Sequence, residues 1–204
     1  MEGIKIEVPQ EIENLALPNP ALLDYYKDAD KRIFWLEGEV DSSTLELVKV
    51  IMRFNKDDEG KPVEERTPIR IFIDTCGGDV QIMWSLVNAI KISKTPVYTI
   101  VYCTAMSAGA HILAAGHKRF AFPGATILVH SGSCVYGGDV EKVESAKRYY
   151  DSLGKAANDM FLTDTSVTAK DLKKKGANDW YITAEEALAL KIIDGIITDF
   201  CEVL

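Results

Sequence analysis

The chain has 204 residues, 47% of them apolar and 26% charged, with no low-complexity tract, which suits one α/β domain with a full core and at most a short appendage. Its 31 acids against 23 bases leave a net charge of −8, without the basic footprint that nonspecific nucleic-acid or anionic-membrane binding requires. No apolar run is long enough to cross a bilayer, and MEGIKIEVPQEIE lacks the cationic and apolar regions of a secretory signal.

Residues 1–20 read as an N-terminal arm: an alternating IKIEV followed by Pro9, Pro18 and Pro20, docked on something else. PALLDYYKDADK (20–31) predicts a helix opened by proline, and RIFWLEG (32–38) a strand ending at glycine. STLELVKVIMRFN (43–55) predicts an amphipathic helix with a serine cap, and 55–68 a charged surface loop. A repeating pattern follows. IRIFID (69–74) is a strand, CGGD a turn and VQIMWSLVNAIKIS (80–93) a helix; VYTIVY (97–102) is the next strand, CTAM a turn and SAGAHILAAG (107–116) a helix. KRFAF (118–122) and ATILVH (125–130) are further strands. Helices are predicted over about 138–162, near 168–175 and over 183–192, the last with Thr183 and Glu186 at capping-box spacing. This order gives a largely parallel sheet wrapped by helices.

In such sheets ligands bind at the carboxyl ends of the strands. Three strand ends carry distinctive groups: the Gly77-Gly78 turn, Ser107 at a helix start, and His130. Ser107 is either a nucleophile with clearance from Ala105, Ala108, Gly109 and Ala110, or simply a helix cap. The glycines either permit a tight turn or bare a backbone N–H for an oxyanion; GxGxxG is absent, so a dinucleotide site is not indicated. Among three histidines, His111 is one helical turn from Ser107 and reads as packing or an interface residue, and His117 as solvated. His130 ends an apolar strand where packing asks for no imidazole, which makes it the expected base. The orienting carboxylate stays open among Asp74, Asp79, Asp139, Asp164, Asp179 and Asp194, with Asp179 attractive because Trp180-Tyr181 would bury one side of it. The four cysteines (Cys76, Cys103, Cys134, Cys201) have no CxxC pairing; they are expected as reduced thiols of a cytoplasmic protein, with Cys76, Cys103 and Cys134 in small apolar packing roles.

These motifs resemble the proteolytic subunits of Clp proteases. The family's Ser-Pro-Gly-Gly turn corresponds to Thr75-Cys76-Gly77-Gly78, and its Ala-Ser-Met-Gly-Ala…Leu-Ala-Ala-Gly to Met106-Ser107-Ala108-Gly109-Ala110…Leu113-Ala114-Ala115-Gly116. Lys118-Arg119-Phe120-Ala121-Phe122-Pro123 precedes His130 as the family's KRF-x-x-P precedes its histidine, and Arg32–Asp41 resembles its early strand motif. Asp179, Thr183-Ala184-Glu185-Glu186-Ala187 and Ile192-Ile193-Asp194 match its C-terminal pattern. The resemblance implies a ClpP/crotonase-like spiral of β-β-α units: a head at about 21–122 and 163–204 and a protruding helix-strand handle at about 123–162. It implies a Ser107/His130/Asp179 triad, an oxyanion hole from the Gly78 and Ala108 amides, substrate strand binding by Ser131, Gly132 and Ser133, and no cofactor or metal. It further implies heptameric rings, stacked in pairs into a tetradecamer, and an AAA+ unfoldase of the ClpX, ClpA or ClpC type that uses the ATP. That partner would dock at Phe72, Phe120 and Phe122 and deliver unfolded polypeptides.

The sequence departs from the pattern at several points. Cys76 replaces the turn proline, Ser131-Gly132-Ser133-Cys134-Val135 replaces Gln-Pro-Leu-Gly-Gly, and Ala177-Asn178 replaces an acid–arginine pair that locks stacked rings. Arg70 replaces one docking aromatic and Lys191 a helix-ending glycine. A non-catalytic ring subunit and a crotonase-like acyl-CoA enzyme are the alternative expectations.

Overall fold

Residues 21–203 are described by the computed structural model; the predicted arm, 1–20, lies outside them. Among the described residues, 21–31 and 32–203 belong to separate compact units. The first contains α1 (Ala21–Asp30), whose Lys27 pairs with Asp24 on the exposed surface.

The second unit is built on β1 (Ile33–Val40), β2 (Ile69–Gly78) and β3 (Val97–Met106), side by side and parallel. Each is rich in β-branched and aromatic residues, and Ile69, Ile71, Ile73, Val97, Ile100 and Val101 are fully buried. β3 then serves two neighbours. Tyr98–Val101 pair in parallel with β4 (Lys118–Ala121), while Thr104–Met106 pair with β5 (Thr126–Val129). Beyond β4 lies β7 (Gly195–Ile196), and β6 (Trp180–Thr183) runs antiparallel to β5. The carboxyl ends of β2, β3 and β5 are thereby gathered at one edge, as the strand order predicts.

The helices cover one face. α2 (Leu45–Asp57) and α3 (Val80–Ile92) are amphipathic, and α3 starts where Asp79 accepts from the Gln81 and Ile82 amides. Every residue of α4 (Ala108–Ala115) is buried, because the helix packs on β2 and β3 and is covered by α3 and by α5 (Val140–Asp164). Small residues let it sit that close: a Cβ on Gly109 would stand 2.4 Å from Thr75 Cγ2. α6 (Ala169–Lys175) and α7 (Ala184–Ala189) complete the unit, α7 opening on the predicted Thr183/Glu186 capping box. The opposite face of the sheet is aromatic: Ile33, Phe72 and Ile100 pack with Tyr98, Tyr102, Phe120 and Phe122, and Trp35 stacks on Phe72 while remaining exposed.

Several expectations are corrected. β1 passes through Gly38, whose φ of 78° accommodates a bulge, and does not end there. β2 and β3 also run four residues past their predicted ends. α2 is entered through a 3-10 turn at Ser42–Thr44 that Asp41 caps by accepting from the Ser43 amide and hydroxyl. Thr44 stands at the start of α2 without a side-chain cap bond, and Ser43 is not the capping group. The loop at 55–68 is more than a surface excursion: Asp58 is wholly buried under it. The cysteines do not pack as small apolar groups. All four are exposed, because Cys76 and Cys103 lie where β2 and β3 emerge from the core, Cys134 lies in an extended segment after β5, and Cys201 in a C-terminal turn.

Candidate active site

Ser107 occupies the corner between β3 and α4 with φ 53° and ψ −117°, a conformation that costs a residue with a Cβ of order 1–3 kcal/mol. The corner is held from both sides: the Ser107 amide donates to Leu128 O at 2.9 Å, and Ser107 O accepts from Ala110 N at 3.1 Å. A serine acting as an N-cap would turn its hydroxyl onto the amides of its own helix. Here the side chain makes no capping bond. Its Oγ lies 2.8 Å from His130 Nε2 instead.

His130 follows β5 directly, and Asp179 directly precedes β6. The antiparallel register pairs Val129 with Trp180, so the next step outward sets His130 opposite Asp179. Asp179 Oδ1 is 3.6 Å from His130 Nδ1, just beyond hydrogen-bond length, and the Asp179 side chain is 56% exposed. Trp180 is buried but Tyr181 is exposed, so the aromatic pair does not enclose the carboxylate as expected. With the ring proton on Nδ1, toward Asp179, Nε2 accepts from the Ser107 hydroxyl.

The other carboxylates have employment elsewhere. Asp74 accepts from the Thr104 amide and hydroxyl, Asp79 caps α3, and Asp139 pairs with Lys142. Asp164 pairs with Lys91. Asp194 binds Arg119 through side chain and backbone, tying β7 to β4.

The glycine turn sits against the serine corner. Thr75 Oγ1 donates to Gly38 O and accepts from Gly77 N, drawing the chain tightly in. Gly77 has φ 98°, and a Cβ there would come within 2.7 Å of Met106 O and Ser107 Cβ; a Cβ on Gly78 (φ 153°) would meet Val40 O at 2.4 Å. Gly78 and Ala108 line the same cleft as Ser107 and His130, a cavity of about 350 Å³. The Ala108 amide stands in the first turn of α4, where helix N–H groups have no intrahelical acceptor.

Ser131, Gly132 and Ser133 also line this cleft and a larger neighbouring one, within a segment that forms no strand from Ser131 to Gly137. Ser131 turns its hydroxyl to Gly176 O at 2.8 Å.

His111 is buried against Phe161, as a packing role predicts, but it also touches the corner: Nδ1 donates to Ser107 O at 3.1 Å. Burial pushes its pKa down and keeps it neutral. His117 is exposed as expected, yet its Nδ1 accepts from Val97 N at 3.0 Å and closes the turn onto β3. Phe72, Phe120 and Phe122 are brought into one aromatic cluster on the far face of the sheet; Trp35, Tyr98 and Tyr102 belong with them and were legible as alternate apolar positions of β1 and β3. Among the described residues no group of three or more His, Cys, Asp or Glu is placed to hold a metal ion.

The arrangement sets a hydroxyl against an imidazole, a carboxylate beyond the ring, and Gly78 and Ala108 along the same cleft. The family model described as Clp protease matches this chain over residues 21–200, which takes in every element of the site.

Proposed function

The chain belongs to the Clp protease family, and from that premise we propose that it is a serine endopeptidase in which Ser107 is the nucleophile, His130 the general base and Asp179 the orienting acid. The observation that carries this reading is the 2.8 Å contact between Ser107 Oγ and His130 Nε2, made by a serine held in a strained corner and doing no capping. Ser107 Oγ attacks a peptide carbonyl while His130 Nε2 takes its proton. The carbonyl oxygen, now an oxyanion, is received by the Gly78 and Ala108 N–H groups. His130 then protonates the leaving amine, leaving an acyl ester on Ser107. A water, deprotonated by His130, attacks that ester and releases the acid, and the proton returns to Ser107. The His130 imidazolium formed in each step is stabilised by Asp179.

An extended substrate would lie along Ser131–Ser133, whose unpaired backbone borders both cavities. That geometry reads main chain more than side chain and suits unfolded polypeptides. Assembly into heptameric rings, one or two of them, and docking of an AAA+ unfoldase on the aromatic face around Phe72, Phe120 and Phe122 belong to the same proposal. The exposed Trp35 beside Phe72 supports a partner there.

A fluorophosphonate probe tests the nucleophile. Labelling of the folded chain that is lost in Ser107→Ala is the expected result, and absence of labelling in folded wild type overturns the reading.

A further inference from the structure

The His130–Asp179 pair lies one step past the last paired residues of the β5–β6 ladder, where an antiparallel pair is free to splay. Neither side chain closes that gap: the carboxylate is more than half exposed and stops 3.6 Å short of Nδ1. One bond lies beyond the gap. Ser131, next to His130, donates its hydroxyl to Gly176 O at 2.8 Å, across 45 residues. Gly176 ends α6 and begins the turn to Asp179, and this turn is itself compact, with Asn178 N donating to Lys175 O at 3.2 Å and Gly176 N to Leu172 O at 2.9 Å. The space is tight as well, since a Cβ on Gly176 would lie 2.6 Å from Leu172 O. The acid and the base are therefore bracketed, by the Val129/Trp180 pair on one side and by Ser131–Gly176 on the other.

We infer that Ser131 is a positioning residue: its hydroxyl clamps the α6–β6 turn against the chain after β5 and so holds Asp179 at the imidazole, within a single protomer. This rests on the serine-peptidase reading. It assigns the Ser131 side chain to the acid's loop, leaving only its backbone for substrate. A hydroxyl is required, because the acceptor is a carbonyl oxygen that offers no proton. Threonine retains the bond and alanine does not.

Ser131→Ala, Ser131→Thr and Asp179→Ala, with the double variant Ser131→Ala/Asp179→Ala, are compared by peptide hydrolysis and by the rate of fluorophosphonate labelling. The loss of one hydrogen bond's worth of positioning predicts a fall in kcat of about 3- to 10-fold in Ser131→Ala with KM within about twofold, and recovery in Ser131→Thr. In the Asp179→Ala background Ser131→Ala has no further effect, since the group it positions is gone. A Ser131→Ala effect that persists undiminished in the double variant, or that falls on KM, overturns the inference in favour of substrate contact. Equal labelling rates in wild type and Ser131→Ala overturn it too. Failure of wild type to label at all sinks the peptidase reading itself, which keeps the two failures apart.

Discussion

Arg32 and Asp58 meet across 26 residues in a two-pronged ion pair, Nη1 to Oδ2 at 2.5 Å and Nη2 to Oδ1 at 2.9 Å. Asp58 is fully buried and accepts two further bonds, from Lys61 Nζ at 2.9 Å and Thr95 Oγ1 at 3.1 Å. The hydrogen bond from the Arg32 guanidinium, opposed by burial and helped by Lys61 and Thr95, holds the carboxyl well below the usual aspartate range. A native pKa below the unfolded one means the pair's stabilisation is complete above about pH 4 and is lost as pH falls through that value toward the native pKa. Asp58→Asn leaves the Arg32 charge in place without its counter-charge and is expected to cost about 3 kcal/mol at neutral pH. Denaturant unfolding from pH 7 to pH 3 checks this: the gap between wild type and Asp58→Asn narrows below about pH 4, and a gap that does not change with pH contradicts the assignment.

That network also shows where sequence reading stops. The 55–68 segment is rich in Lys, Asp, Glu and Pro, and nothing in its local pattern distinguishes Asp58 from Asp57 beside it. The distinction comes from Arg32 and Thr95, which approach from other elements. The order of the strands was legible from their apolar runs even though β1, β2 and β3 run past their expected ends, and so Gly78, Ser107 and His130 could be placed at one edge. Asp179 could not be chosen from residues alone, since its place is set by the register of β5 against β6, and only the family resemblance singled it out. The same holds for Ser131 and Gly176: a hydroxyl and a carbonyl at that separation carry no pattern. The cysteines were misjudged for a related reason, because bulges and strand extensions decide whether a small residue faces the core.

The conformation of Ser107 makes a prediction about strain. Glycine adopts φ 53° with ψ −117° far more readily than a residue with a Cβ, so Ser107→Gly relieves strain that Ser107→Ala retains. Both variants lose hydrolysis and probe labelling. Thermal unfolding is expected to place Ser107→Gly about 1 kcal/mol above Ser107→Ala. Ser107→Ala equal to or more stable than Ser107→Gly refutes stored strain at the corner.

Gly78 lines the cleft in a backbone conformation that favours glycine, at φ 153°, and is the proposed oxyanion donor. In Gly78→Ala the added Cβ meets the Val40 carbonyl at 2.4 Å, so the turn must shift and carry its N–H with it. Loss of one oxyanion donor predicts a fall in kcat of about 100- to 1000-fold. The fall should appear in the acylation rate with a chromogenic ester, while KM changes little. An unchanged kcat removes Gly78 from the oxyanion site.

Lys191 adopts φ 53° immediately after α7, its N–H bonded to Leu188 O at 3.1 Å, the left-handed position at which helices commonly end on glycine. Its side chain is exposed and lies outside the cleft, so nothing about function opposes a change. A residue with a Cβ in this conformation costs of order 1 kcal/mol. Lys191→Gly is therefore expected to stabilise the chain by about 1 kcal/mol and raise Tm by about 2–4 °C, with kcat and KM unchanged. Lys191→Ala removes the same side chain but keeps the strain and gains none of this. Calorimetry on the three forms decides the point: a Lys191→Gly midpoint no higher than that of Lys191→Ala means the left-handed conformation carries no cost there.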